Sequence, residues 1–236
     1  MDLLINIFII FLVSIIHASL QLTPGCAILL HQKSLSSKHA RAKSRTLARS
    51  FVLGVLTITI LVTTSFCYLL SLVFQNQLPA QVLMIEVGIA VFLSIVILLA
   101  YYRRGKGTRL WIPRSVASFL ESRAKRTNNT AESFSLGIMS VLGEWPITLT
   151  LIAIASSQII ELHGSWQVLL ISTYALITAI PPIAISILLN YRSSLSSIQK
   201  WREDNKTFFR IALFASLIIL GTYTLTYRVL PMVGVL

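Results

Sequence analysis

Long apolar stretches alternate with short polar connections along the whole chain. The hydrocarbon core of a bilayer, about 30 Å thick, is crossed by a helix of about 20 mostly apolar residues. Six runs reach that length: residues 3–30, 48–74, 82–102, 134–160, 167–189 and 208–227. The pattern predicts an all-α polytopic membrane protein, with six transmembrane helices forming a single transmembrane domain over residues 1–236. The first run follows Met1-Asp2 directly, without the positive n-region of a signal peptide, and reads as a retained helix.

The connections predict orientation, because Lys and Arg accumulate on the cytoplasmic side. The connection after the first run carries Lys33, Lys38, Arg41, Lys43, Arg45 and Arg49, whereas residues 75–81 carry no charge. The third carries Arg103, Arg104, Lys106, Arg109, Arg114, Arg123, Lys125 and Arg126, the fourth only Glu161 and His163, and the fifth Arg192, Lys200, Arg202 and Lys206. Loops 31–49, 103–133 and 190–207 are therefore expected in the cytoplasm of a multi-pass cell-membrane protein, with both termini extracytoplasmic. Within the long third loop, Val116, Phe119 and Leu120 share a helical face over residues 115–125, which predicts an interfacial helix against membrane lipid.

Composition agrees: of 236 residues, 55% are hydrophobic and only 12% charged, and the mean hydropathy is +0.79. A net charge of +12 invites a nucleic-acid reading, but the basic residues lie between apolar runs, where they set topology. No nucleic-acid partner is expected. The two cysteines, Cys26 and Cys67, form no CxxC and no Cys/His cluster at metal-ligand spacing, so no metal site is expected.

An odd number of spans in each half reverses the fourth run relative to the first. That permits a 3+3 inverted repeat, with halves of about 1–102 and 131–230 flanking the basic loop 103–133. The first and fourth runs are both long, and both are interrupted by proline, at Pro24-Gly25 and at Gly143-Glu144-Trp145-Pro146. Proline frees the carbonyl four residues earlier, and such backbone survives in a membrane only when buried in protein or lining a wet cavity. Pro181-Pro182 in the fifth run predicts a kink or hinge.

Ionisable groups inside a bilayer cost about 2.5–3.5 kcal/mol on insertion scales, so each needs a reason. At about 1.5 Å per residue, His17 lies about 20 Å along the first run and Glu144 about 15 Å along the fourth, both near mid-membrane. His17 shares a helical stripe with Ser14 and Gln21, and suits either a hydrogen bond to a neighbouring helix or proton and ligand binding. Glu144 is the candidate proton or cation site. Glu86, close to the end of the third run, reads as a solvated rim residue. No enzymatic signature is present: Gly105-Lys106 lacks the preceding glycine of a phosphate-binding loop, and there is no HExxH or GxSxG. Neither an enzyme activity nor a cofactor is expected.

The stretch Leu22-Thr23-Pro24-Gly25-Cys26-Ala27-Ile28-Leu29-Leu30, the glycine of Ser50-Phe51-Val52-Leu53-Gly54, and Phe134-Ser135-Leu136-Gly137 running on to Pro146 together resemble the lysine exporter (LysE/RhtB-type) family. A basic connection around Trp201 leading to Gly221 fits the same layout. Cys26-Ala27 stands where that family has Pro-Asn, and Glu144-Trp145-Pro146-Ile147 where Asn-Pro-Lys belongs, displaced by about one residue.

The resemblance implies secondary transport: export of a small solute, an amino acid or related metabolite, coupled to an ion gradient and compatible with a homo-oligomer. Glu144, His17, Gln21, Pro24, Gly25 and Pro146 form the expected solute- and ion-binding set, with Pro181 and Pro182 as hinge. Three alternatives stay open. They are a membrane assembly or scaffold protein, a thiol-redox conduit using Cys26, and a divalent-metal exporter, for which His17-Ala18 stands seven positions before Pro24.

Overall fold

The computed structural model describes residues 3–20, 38–75, 77–100, 114–188 and 204–234, and these are almost entirely helical. Gln21, Pro24, Gly25 and Cys26 lie outside the described residues. The helices are α1 (Leu3–Leu20), α2 (Lys38–Phe74), α3 (Ala80–Ala100), α4 (Arg114–Arg126), α5 (Thr130–Leu142), α6 (Trp145–Ile159), α7 (Gly164–Thr178), α8 (Ile180–Leu188) and α9 (Lys206–Tyr223). A π-helical turn, Thr224–Val229, continues α9 into the short α10 (Leu230–Val233).

Large apolar side chains point outward. On α1, Leu4, Phe8, Phe11 and Ile15 form an exposed stripe at helical spacing, while Asn6, Ser14 and His17 are buried on the other face. On α3, Met84, Ile85, Phe92, Ile95 and Leu99 are exposed and Glu86 and Ser94 buried. Such an apolar exterior is unfavourable in water and favourable in lipid. Three stretches are long and apolar enough to cross a bilayer: Ala42–Phe74, Ala80–Leu99 and Arg210–Val233. Gly164–Thr178 and Ile180–Ile187, bent by 47°, supply a fourth if the pair forms one span.

Helix α2 begins ten residues before the predicted start at 48, absorbing the basic stretch expected as loop. The reason is local: Lys, Arg, Ala and Leu are good helix formers, and Ser44, Leu47 and Ala48 are buried while Lys43, Arg45 and Arg49 face outward. Helix α5 likewise starts four residues early. Asn129 Oδ1 accepts the Glu132 N–H (2.8 Å), and Glu132 Oε2 accepts the Asn128 N–H (2.9 Å), a reciprocal cap that fixes the helix start.

The tightest packing joins α2 to α5. A Cβ on Gly54 would lie 2.2 Å from the Phe134 carbonyl oxygen, and one on Gly137 2.2 Å from that of Phe51, so the two backbones touch. Close approach through small residues is the usual device for helix association in lipid. Flanking it, Ser133 Oγ donates to the Leu47 carbonyl (2.6 Å) and Ser50 Oγ to that of Thr130 (2.7 Å). One apolar core unites α1, α3, α6, α7 and α9, with Ile10, Leu83, Leu151, Ile159 and Leu217 near its centre. A second gathers Phe51, Val55, Leu120 and Leu136 around the α2–α5 crossing.

The stretch 115–125 is helical as predicted, within α4, which buries Leu120 and Ala124 against the second core. Phe119, expected on that inner face, is exposed instead and carries the Arg123 guanidinium over its ring at 5.5 Å. Spacing of four (Val116, Leu120, Ala124) makes a narrower stripe than the one predicted.

Candidate functional site

The interior that these helices enclose is polar in three places. The first is the α1–α7 interface. His17 Nδ1 and the Tyr174 hydroxyl lie 2.7 Å apart, with ring centroids 5.6 Å apart, and both residues are fully enclosed. The hydroxyl donates to one tautomer of the imidazole and accepts from the other. In either case the opposite nitrogen, Nε2, has no partner. Ser14, one turn earlier, turns its hydroxyl back to the Ile10 carbonyl (2.5 Å) and so leaves the histidine to Tyr174. With Nδ1 on Tyr174 and Nε2 without a partner, His17 is not hydrogen-bonded to Glu144.

The second is the break in the fourth apolar run. Helix α5 closes with Gly143 N–H on the Met139 carbonyl (2.8 Å) and a tight turn from Glu144 N–H to Val141 O (3.2 Å). Helix α6 then opens with Thr148 N–H on the Glu144 carbonyl (3.1 Å). Pro146 falls in the first turn of α6, where an N–H has no helical acceptor, so it initiates a helix rather than kinking one. The run is thereby divided in two, and neither α5 nor α6 alone is long enough to span a bilayer. Glu144 sits at the junction, only 5% exposed, while the neighbouring Trp145 faces outward. Helix α4 lies across the same place: a Cβ on Gly143 would meet Val116 Cγ1 at 3.1 Å and Leu120 Cδ1 at 3.3 Å. A 47° bend between α7 and α8 falls at Ala179, just before Pro181 and Pro182.

The third is a cluster of charges that the sequence reading did not assemble. Arg228, on the π-helical turn, is 3% exposed and donates from Nη2 to Glu161 Oε1. Glu86 is buried, with Ser157 and Gln158 beside it, so it is not a solvated rim residue. Glu161 itself stands in the turn after α6, outside the apolar runs. Partial burial pushes its carboxyl above the usual range, and the adjacent Arg228 pulls the other way. Arg228 escaped prediction because it follows the last apolar run, where a basic residue reads as a flanking charge. The clue was the apolar sequence resuming beyond it, from Val229 onward.

Cys67 is a buried free thiol on α2, with Ser156 beside it. Among the described residues, no group of His, Cys, Asp and Glu side chains is placed to hold a metal ion. Between α4 and α5, a cleft of about 430 Å³ is lined by Arg123, Arg126, Thr127, Asn129 and Met139, together with the capping Glu132. The chain matches no protein-family model, no curated protein and no solved structure.

Proposed function

We propose that this chain is a secondary transporter that exports a small solute, an amino acid or related metabolite, in exchange with an ion gradient. The observation that carries this reading is the buried carboxylate of Glu144 at the junction of two short helices inside one membrane-length apolar run. Irregular backbone and an ionisable group at such depth are tolerated where protein or a water-filled cavity receives them, and discontinuous helices of this kind form ion and substrate sites in transporters.

On this reading the chain has six spans. Helix α1 with the residues after it is the first, α2 the second and α3 the third; α5 with α6, α7 with α8, and α9 with its continuation complete the set. The two halves are inverted repeats. The basic stretches 31–49, 103–133 and 190–207 lie in the cytoplasm, and the α6–α7 turn and both termini lie outside. Glu144 loads the coupling proton or cation. His17, held by Tyr174, contributes a polar group on the facing helix, and the bend before Pro181 and Pro182 lets α7 and α8 move relative to each other. Membership of the lysine exporter family belongs to the same proposal and is supported by Pro24-Gly25, Gly54 and Gly137.

The test is a comparison of amino acids, small metabolites and metal ions inside and outside cells that lack the protein and cells that overproduce it. A solute retained by the first and released by the second is the expected result. No difference across a broad panel would overturn the proposal.

A further inference from the structure

The cleft between α4 and α5 is not used by the proposed Glu144 cycle, and its lining changes character along its length. Near the turn between the two helices it is polar, where Arg123, Arg126, Thr127, Asn129, Glu132 and Ser135 face the cavity of about 430 Å³. Leu136 and Met139 then make it apolar. Beyond them the outer side of α5 continues with the exposed Leu142 and on to the exposed Trp145, while Phe119 is exposed on α4. The groove is therefore basic and polar at one end and opens onto apolar surface at the other.

Two hydrogen bonds fix the depth of the polar end. Ser133 Oγ donates to the Leu47 carbonyl and Ser50 Oγ to that of Thr130, so the start of α5 lies level with residues 47–50 of α2. There Arg49, the last charged residue of α2, gives way to an uncharged stretch that continues to Phe74, inside the bilayer-crossing segment Ala42–Phe74. On a membrane helix such a change marks the boundary between headgroups and hydrocarbon. The charge at this level is unspent. Arg123 and Arg126, three positions apart, share a face of α4. Arg123 rests over the Phe119 ring at 5.5 Å, and among the described residues neither arginine forms an ion pair, whereas Lys125 is taken by Glu121 (2.6 Å). Glu132 is the one carboxylate in the described lining, and its Oε2 already accepts the Asn128 N–H (2.9 Å). Two guanidinium groups and one carboxylate leave a single positive charge, the counterpart of a phosphodiester monoanion.

We propose that the α4–α5 cleft binds an anionic phospholipid, with the phosphate between Arg123 and Arg126 and an acyl chain along Met139 and Leu142 towards Trp145. A guanidinium offers paired N–H donors to phosphate oxygens, and one held against an aromatic ring rather than a carboxylate keeps those donors for an incoming acceptor. Basic pockets beside membrane-spanning helices recognise lipid headgroups in this way. A soluble anion uses only the basic end and leaves Met139 and Leu142 uncovered. A phospholipid covers both ends, because its charge and its apolar part are joined in the order in which the groove presents their partners. The bound lipid bridges α4 and α5 and so steadies the helix that lies across Gly143, next to Glu144. The inference requires a chain embedded in a bilayer and is independent of what the chain transports.

The test is native mass spectrometry of the full chain in detergent, titrated with phosphatidylglycerol or with phosphatidylcholine. One phosphatidylglycerol per chain is expected to stay bound at concentrations from which phosphatidylcholine has dissociated. Arg123→Gln/Arg126→Gln, at two exposed positions, should weaken phosphatidylglycerol binding by about thirtyfold. Lys43→Gln/Arg45→Gln removes the same charge from the exposed start of α2 and should leave binding unchanged. Equal retention of the two lipids would overturn the proposal. Equal losses in the two double variants would also overturn it, by showing general attraction to a basic surface, and so would displacement of the lipid by an equal concentration of glycerol phosphate, by showing a site for soluble anions. Each outcome is read without transport, so the failure of this site and the failure of the transport reading are told apart.

Discussion

His17 on α1 and Tyr174 on α7, 157 positions apart in the chain, share a 2.7 Å hydrogen bond inside the bundle. The bond ties the first helix to the helix that bends before Pro181-Pro182, and it satisfies the buried Tyr174 hydroxyl. Tyr174→Phe keeps the ring and removes the hydroxyl, leaving both imidazole nitrogens without partners. A buried polar group deprived of its partner costs about 1–3 kcal/mol. Thermal unfolding in detergent should show Tyr174→Phe destabilised by that amount, and His17→Leu/Tyr174→Phe less destabilised than the two singles together. Strict additivity would mean that the bond does not operate.

The α2–α5 crossing leaves no room for a side chain. Gly54→Ala and Gly137→Ala each place a methyl group 2.2 Å from a backbone oxygen, which cannot rotate aside as a flexible side chain would. Overpacking of this kind costs about 1–3 kcal/mol or more. Both variants should lose monodisperse protein on size-exclusion chromatography. Gly88→Ala, with nothing within 4 Å of the new methyl group, should behave as the native chain. Equal yields for all three would contradict the close crossing.

Arg228 depends on Glu161 for its burial. Removing one partner of a buried pair strands the other, at a cost of about 3 kcal/mol, whereas replacing both by apolar groups is often close to neutral. Glu161→Gln should therefore be strongly destabilising, and Glu161→Gln/Arg228→Met should recover most of the loss in thermal unfolding. If the double variant is no better than Glu161→Gln, the guanidinium is not the source of the cost.

The α5 cap is pH-dependent. The Asn128 N–H, and then the hydrogen bonds at Asn129, hold the Glu132 carboxyl below its ordinary value of 4.5. A carboxyl depressed in the folded state stabilises that state above the unfolded value, and the contribution is lost as pH falls through the folded one. Hydrogen exchange at the start of α5 should therefore accelerate below about pH 4.5, and Glu132→Ala should show the faster exchange at neutral pH with little further response to acid. A response to acid that Glu132→Ala leaves unchanged would assign it to another group.

How much of this was legible in the sequence depends on how far apart the interacting residues are. Apolar runs, helix α4 and the break at Glu144 are local, written in spacing and in a single proline, and the structure has helices over the described parts of all six runs. Helix ends were less legible, because Lys38 to Arg49 reads as a charged loop until the buried stripe of Ser44, Leu47 and Ala48 is seen. Gly54 and Gly137 stood out individually, but their contact joins positions 83 apart. Arg228 was missed because its burial depends on Glu161, 67 positions away. Glu86 looked like a rim residue for the same reason: nothing near it in the chain indicates Ser157 or Gln158.

The central claim is that Glu144 couples solute movement to an ion gradient, and the most direct measurement is transport in membrane vesicles of the solute identified by the cell comparison, with proton movement followed at the same time. The native chain should move solute and protons together, and Glu144→Gln, equally folded and equally abundant, should show no coupled flux. Proton-driven transport by Glu144→Gln at the native rate would contradict the account.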